Sequence, residues 1–187
     1  MGRWKRYFGN SIFRNLMKNI LLIGCGRSKE RKIRLRGDPD NFGDDWLTTI
    51  DIDPSCCPSI LMDMNDLHKD GGLPFDDDCF DEIHAYDFLE HIGTQGDWRG
   101  YFGEFAEYHR VLKQGGLFYA LVPIGSDAIS YPGHSRFFSI NHFCFLSQEF
   151  YKNTQVTDYR WYWKKNFMIE YLNTIENHHI AAVLRKA

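Results

Sequence analysis

Residues 19–26 read NILLIGCG: four apolar residues in succession, Ile20, Leu21, Leu22 and Ile23, run directly into a Gly-x-Gly turn. A short, wholly apolar run bounded by glycine predicts a strand covered on both faces, the position of a central strand in a parallel sheet. Gly24 and Gly26 let the backbone turn sharply and approach a ligand with no side chain between. Open α/β sheets bind ligands outside the carboxyl ends of their strands, so this turn marks one wall of a prospective crevice.

Further strands follow. LTTIDID (47–53) alternates, is β-branched and stops at Pro54, predicting a second strand, and PSILMD (58–63) predicts a third. A fourth falls at about 80–85 within LPFDDDCFDEIHAYDFLEHI (73–92), followed by the start of a helix. Asp97 is placed to cap a helix on which Trp98, Phe102, Phe105 and Leu112 keep a helical period, with Gln114-Gly115-Gly116 ending it. LFYALVP (117–123) predicts a fifth strand, and residues 166–187 predict an antiparallel hairpin turning at Glu176-Asn177. Between Gly26 and Leu47 there are turn signals but no helical period. A loop or very short helix is expected there, where a Rossmann-type unit normally has a helix. Residues 124–165 are rich in Gly, Ser, Pro and His, then in aromatics, with a helical turn expected at 147–151. Residues 3–16 put Trp4, Phe8 and Ile12 on one face of a basic amphipathic helix. Such a helix suits the flank of the first strand or a membrane surface, and the former is favoured.

The bulk numbers are those of a soluble globular chain: 187 residues, 43% hydrophobic and 25% charged, long enough for one domain with a real core. No apolar run reaches the ~20 residues of a membrane span. No signal peptide is apparent, and the five cysteines are odd in number without CxxC spacing, so a cytoplasmic protein with reduced thiols is expected. The net charge of −3 conceals an asymmetry of +10 over residues 1–37 and −13 beyond them. That can mark a nucleic-acid contact, or a basic segment packed beside an acidic sheet edge, which is favoured.

The Gly-x-Gly turn is no dinucleotide fingerprint, because the third glycine position holds Lys29, and no P-loop Gly-Lys-Ser/Thr is present. A ligand without a phosphate chain needs no helix amino end aimed at it, which agrees with the irregular stretch that follows. Asp51, closing the second strand, can accept hydrogen bonds from both hydroxyls of a ribose, and Asp53, two residues on, is a rival on the same face. Asp63, closing the third, can accept from an adenine amino group while Met64 packs on the ring. Acids and glycines at the ends of three successive strands favour a shared site over unrelated solvated turns.

The ordered series ILLIGCG, TTIDIDP, ILMDMND, LPFDDDCFDEIHAYDFLEHI and YHRVLKQGGLFYALVP resembles the class I S-adenosylmethionine-dependent methyltransferases, in particular the small type 11 group. The match spans about residues 19–123. It implies a Rossmann-like α/β fold with a mostly parallel seven-stranded sheet and an antiparallel C-terminal hairpin. Together with the basic helix read at the start of the chain, this gives a single methyltransferase domain: an N-terminal helix at 1–17, a donor-binding core at 19–123, an acceptor-side insert at 124–165 and a closing hairpin at 166–187. Carried over residue by residue, Gly24, Cys25 and Gly26 line the methionine part of S-adenosylmethionine. Asp51, with Ile52 beside it, holds the ribose, and Asp63 and Met64 flank the adenine. Tyr86 and Asp87 lie near the amino-acid end and the reactive methyl. Two positions depart from the pattern: Ser28 stands where the group often has a third glycine, and Gln114 replaces a proline.

Methyl transfer from a sulfonium chiefly requires alignment, with a base useful for a hydroxyl or a protonated nitrogen. Asp87, His91 and His134 are the catalytic candidates, with Glu90 beside them, and Arg136 can meet an anionic acceptor. His134, His142, Cys144, His178 and His179 contain no pair at structural-zinc spacing, so no metal is expected. No Gly-x-Ser-x-Gly elbow appears. Neither the Asn/Asp-Pro-Pro-Tyr/Phe pattern of exocyclic-amine methylation nor a Pro-Cys nucleophile follows the fourth strand, which favours a small molecule, sugar or side chain over a DNA base. Two rivals stand beside the enzyme. One is a catalytically silent donor-binding module for regulation or assembly. The other is an RNA-binding or RNA-modifying protein that uses the basic start and Trp161, Tyr162 and Trp163 beside Lys164 and Lys165.

Overall fold

In the computed structural model, β1 (Asn19–Ile23) lies between β2 (Trp46–Asp51) and β4 (Phe80–Tyr86), parallel to both. The structure describes residues 17–187 except 44, 70, 153 and 177; the basic helix expected at 3–16 lies outside the described residues. The remaining strands are β3 (Ile60–Leu61), β5 (Leu112–Pro123), β6 (Phe167–Ile175) and β7 (His179–Lys186), in the sheet order β3-β2-β1-β4-β5-β7-β6. Among the described strands β7 alone runs opposite to the rest, pairing antiparallel with β5 on one side and β6 on the other. This is the class I methyltransferase sheet that the resemblance implies. Among the described residues no helix is long and apolar enough to cross a membrane.

The side-chain period of two divides β1 between two cores. Leu21 and Ile23 join the larger cluster, with Ile50, Ile83, Ala85, Phe118 and the buried face of α1 (Trp98–Val111). Ile20 and Leu22 join the other, with Ile33, Phe42, Tyr86, Tyr119 and Val183. Both faces are therefore covered, as the unbroken apolar run requires. The second face is covered by the segment between Gly26 and Trp46, which contains no helix among its described residues. This segment is anchored by polar contacts as well as by Ile33 and Phe42. Arg31 reaches the buried Glu82 at 2.8 Å, and its guanidinium lies over the Phe42 ring at 4.9 Å. The hydroxyl of Tyr119 donates to Asp38 at 2.9 Å. Beneath them His84 stacks on Tyr119, with ring centroids 4.4 Å apart, and hydrogen-bonds Glu82 at 2.9 Å and the hydroxyl of Tyr86.

Several boundaries differ from the sequence expectation. β2 stops at Asp51 because Asp53 turns back to cap a 3₁₀ turn at Pro54–Cys56. The third strand shrinks to Ile60–Leu61, since Asp63 caps a second 3₁₀ turn at Met64–Asp66. After Leu89 there is only a 3₁₀ turn, Leu89–His91. Asp97 does cap α1, accepting from the Gly100 amide at 3.0 Å, but α1 ends at Val111. Gln114-Gly115-Gly116 does not end the helix: it bulges inside β5, whose register jumps from Leu112 opposite Phe80 to Leu117 opposite Glu82. Residues 124–165 hold two five-residue helices, α2 (Ser126–Ser130) and α3 (Ile140–Cys144), too short to show a helical period. The turn expected at 147–151 falls at Phe150–Lys152. Trp163 is unavailable for base stacking: it is buried against Phe102 and donates to the Leu146 carbonyl at 2.9 Å.

The Glu82–His84 pair predicts an acid-sensitive fold. Burial alone would raise the Glu82 carboxyl, but hydrogen bonds from His84 and Lys18 and the Arg31 charge outweigh it and hold it down to about 2. Burial pushes His84 down to about 4 against the opposing pull of Glu82. Both folded-state values lie below their ordinary ones, so the unfolded chain takes up protons first as pH falls. Stability drops from His84 between about pH 6.5 and 4, and then from Glu82 between about 4.5 and 2. Urea unfolding at pH 7 and pH 5 is expected to show this loss in the wild type and a smaller loss in His84→Gln; equal losses in the two proteins would contradict it.

Candidate functional site

The register of the central strands builds the site. Ile23 lies opposite Ile50 on one side and Ala85 on the other, so Gly24, Asp51 and Tyr86 are the next residues at one level of the sheet's carboxyl edge. A cavity of about 400 Å³ opens there. Gly24, Gly26, Asp51, Ile52, Asp63, Met64, Asp87 and His91 line it, together with Ile50, Met62, Asn65, Phe88, Ile92 and Gly133.

Asp51 joins two of its walls. One carboxylate oxygen accepts from the Gly26 amide at 2.8 Å and the other from the Asp53 amide at 2.9 Å. Each oxygen keeps lone-pair capacity for a ligand. The rivalry with Asp53 resolves in geometry, because Asp53 spends its carboxylate on the amide and hydroxyl of Ser55, which hold its pKa low, and does not line the cavity. Asp63 uses one oxygen, Oδ1, for the Asn65 amide at 2.9 Å and the Asn65 side chain at 3.2 Å. Met64 is buried at the base of the same wall.

The cavity opens on the face of the larger core, and two expected residues point to the opposite face, Tyr86 by strand alternation after Ala85 and Cys25 because the left-handed turn at Gly24 breaks the alternation of β1. Cys25 is buried in the second cluster, where burial raises its thiol. Tyr86 lies in the same cluster, hydrogen-bonded to His84. Neither side chain lines the cavity, although the Cys25 backbone belongs to the turn. Asp87 does line it. Its backbone is left-handed, with φ +50°, and its carboxylate meets Lys32 at 2.7 Å and His179 at 3.1 Å.

Phe88 is the main lining residue that the sequence reading missed. Gly24 has φ +63°, and a Cβ placed there would lie 2.3 Å from the Phe88 ring. The glycine therefore serves both the left-handed turn and the close approach of an aromatic wall. Asn65 was missed as well; it accepts from the Gly93 amide at 2.9 Å and so links the turn after β3 to the loop after β4.

A second cavity of about 320 Å³ adjoins the first, sharing Asp87 and His91 and adding Glu90, Pro123, Asp127, Tyr131, His134 and His179. His134 is thus brought beside His91, with ring centroids 4.7 Å apart. Burial pushes the Glu90 carboxyl up to about 7. Arg136 does not face this cavity: it is buried in an ion pair with Glu104 of α1 at 2.7 Å, which secures the loop carrying His134.

No family model matches the sequence, and no curated protein sequence does. Among solved structures, the chain is similar over 91% of its length to phosphoethanolamine N-methyltransferase 1 of Haemonchus contortus, in complex with phosphoethanolamine and S-adenosylhomocysteine. That match has a TM-score of 0.62 at 11% identity and covers 39% of that chain. A SAM-dependent methyltransferase from Archaeoglobus fulgidus matches with a TM-score of 0.55 at 13% identity, over 94% of this chain and 92% of its own. The N-methyltransferase NodS of Bradyrhizobium japonicum WM9, in complex with S-adenosylhomocysteine, matches with a TM-score of 0.52 at 12% identity, over 90% and 78%. The shared property is the fold, that of class I S-adenosylmethionine-dependent methyltransferases.

Gly24→Ala forces an L-residue into a left-handed backbone, at about 1–2 kcal/mol, and drives its methyl into Phe88. Urea unfolding is expected to show a loss of at least that size, partly recovered when Phe88→Ala is added. A Gly24→Ala protein as stable as wild type would contradict this placement.

Proposed function

We propose that the protein is an S-adenosylmethionine-dependent methyltransferase whose acceptor is a small molecule, sugar or side chain. The observation that carries this reading is the single cavity walled by the Gly24–Gly26 turn, Asp51, Asp63 and Met64. These residues come from the ends of three adjacent strands, and the cavity is of a size typical of small-ligand sites, about 300–1,000 Å³.

When bound, S-adenosylmethionine supplies a methyl group already activated by its sulfonium. In this reading Asp51 accepts from the ribose hydroxyls with the lone pairs left over from the Gly26 and Asp53 amides. Asp63 offers Oδ2 to the adenine amino group, Ile52 and Met64 supply apolar contact, and the backbone of Gly24, Cys25 and Gly26 faces the methionine part. Tyr86 contributes from behind, bracing the end of β4 through His84 rather than touching the ligand. Asp87 and His91 stand where the two cavities meet, so the acceptor belongs in the second cavity. Its walls are rich in groups able to orient a nucleophile and take its proton: Asp87, His91 and His134. Alignment of the two ligands across this junction is the larger contribution to rate, and a base adds typically ~10²–10⁴-fold.

Calorimetric titration with S-adenosylhomocysteine tests the donor site. Binding by the wild type is expected, with Asp51→Ala at least ~10-fold weaker, the equivalent of one hydrogen bond to a charged acceptor. No binding by the wild type would refute the reading, and unchanged affinity in the variant would remove Asp51 from it.

A further inference from the structure

At the back of the second cavity a buried carboxylate meets two imidazoles. Glu90, His91 and His134 each offer one ligand atom, and the three atoms lie within 4.8 Å of one another. His134 Nε2 is 4.0 Å from Glu90 Oε1. The other Glu90 oxygen is buried with no hydrogen-bond partner, although the residue is only 2% exposed and lines the cavity. A carboxylate oxygen left bare in that position calls for a partner, either a proton or a cation.

Both imidazoles are already oriented. His91 Nδ1 is 3.1 Å from the Gly133 carbonyl, and His134 Nδ1 is 2.8 Å from the Ala128 carbonyl. A carbonyl oxygen only accepts, so Nδ1 of each ring carries a proton and Nε2 is the nitrogen left to meet an ion. A backbone carbonyl on the far nitrogen is a common means of fixing the tautomer of a metal-ligating histidine. The two loops are also held together by the main chain, because the Glu90 carbonyl accepts from the amides of Ser135 at 2.8 Å and Arg136 at 3.1 Å.

We propose that Glu90, His91 and His134 bind one divalent first-row transition-metal ion of the zinc, cobalt or iron(II) kind. Two imidazoles and a carboxylate form a nitrogen-rich set that suits these ions and poorly suits magnesium or calcium. Small side-chain rotations bring the donors to a common distance of about 2.0–2.2 Å from an ion. Three protein ligands leave positions open toward the cavity, as in sites that act on a ligand and unlike closed structural ones. The absence of structural-zinc spacing bears on closed sites only; here the donors come from two loops more than forty residues apart. The ion's role rests on the function proposed above: it would hold an acceptor oxygen or nitrogen at the junction with the donor cavity and ease loss of its proton, which Asp87 would take in place of the two ligated imidazoles. The binding site itself stands without that reading.

The test is titration of the full chain with Co²⁺, read by visible absorption, and with Zn²⁺ by calorimetry, with Mg²⁺ as the comparison ion. One Co²⁺ or Zn²⁺ per chain with a Kd of about 10 µM or tighter is expected, with no measurable Mg²⁺ binding. Glu90→Gln and His134→Ala are each expected to weaken binding at least tenfold, a typical loss even for residues that only support a metal ligand. Should either variant fail to fold, NMR of the wild type serves instead, with Co²⁺ expected to shift the ring signals of His91 and His134 but not those of His68. No ion bound by the wild type, equal affinity in the folded variants, or shifts confined to other histidines would overturn the proposal. S-adenosylhomocysteine affinity, measured without added metal, separates the two readings. Donor binding without ion binding sinks this proposal alone, and ion binding without donor binding leaves it standing while the methyltransferase reading falls.

Discussion

The carboxylate of Asp51 bridges two backbone amides, Gly26 beyond β1 and Asp53 beyond β2. The cavity rim depends on this contact. Past the last ladder pair, Ile23 with Ile50, the Gly24 and Cys25 amides still donate to the Ile50 carbonyl at 2.9 and 3.2 Å, and the two chain ends then diverge into separate turns. Here one ionised side chain spans the gap with two charge-assisted hydrogen bonds, each of the kind worth roughly 1.5–3 kcal/mol. The same bonds turn the remaining lone pairs toward the cavity, so the group that fixes the rim is also the one best placed to hold a ligand.

That rim is held from below by a sheet covered unequally on its two faces. One face has α1, with a conventional aromatic core. The other has the irregular segment after Gly26, which compensates for its lack of helix with Arg31, Phe42 and Asp38 docked on Glu82, His84 and Tyr119. A buried ion pair is a weak source of stability, because desolvation offsets most of its attraction. It does set position: Arg31 has one buried carboxylate to find, and reaching it brings Lys32 to Asp87 and Ile33 onto the second core. The covering segment is thereby tied to the floor of the ligand site.

The parts of this arrangement that were legible in the sequence are those encoded locally. The apolar run ending in glycines located β1 and its turn, and the β-branched alternation before Asp51 located β2. The order of motifs then gave the sheet. What escaped was decided by distance or by competition between neighbours. Asp51 and Asp53 share a face by strand period, and only the cap that Asp53 makes with Ser55 separates them. Tyr86 follows Ala85 and so points to the opposite core, a period-two consequence that the family resemblance overrode. Helices α2 and α3 have five residues each, too few for a hydrophobic period. Glu90 and His134 meet at 4.0 Å across forty-four positions of chain, and no local pattern announces such a pairing.

Two adjoining cavities with shared walls at Asp87 and His91 give the site its proposed logic, a donor held by the strand ends and an acceptor approaching from the loop that carries His134. A crystal structure of the protein grown with S-adenosylhomocysteine tests this most directly. The predicted result is a nucleoside in the first cavity, its ribose hydroxyls on the Asp51 carboxylate and its adenine between Asp63 and Met64, with the sulfur directed toward Asp87 and His91. A ligand seated elsewhere, or a ribose held by residues other than Asp51, would contradict it.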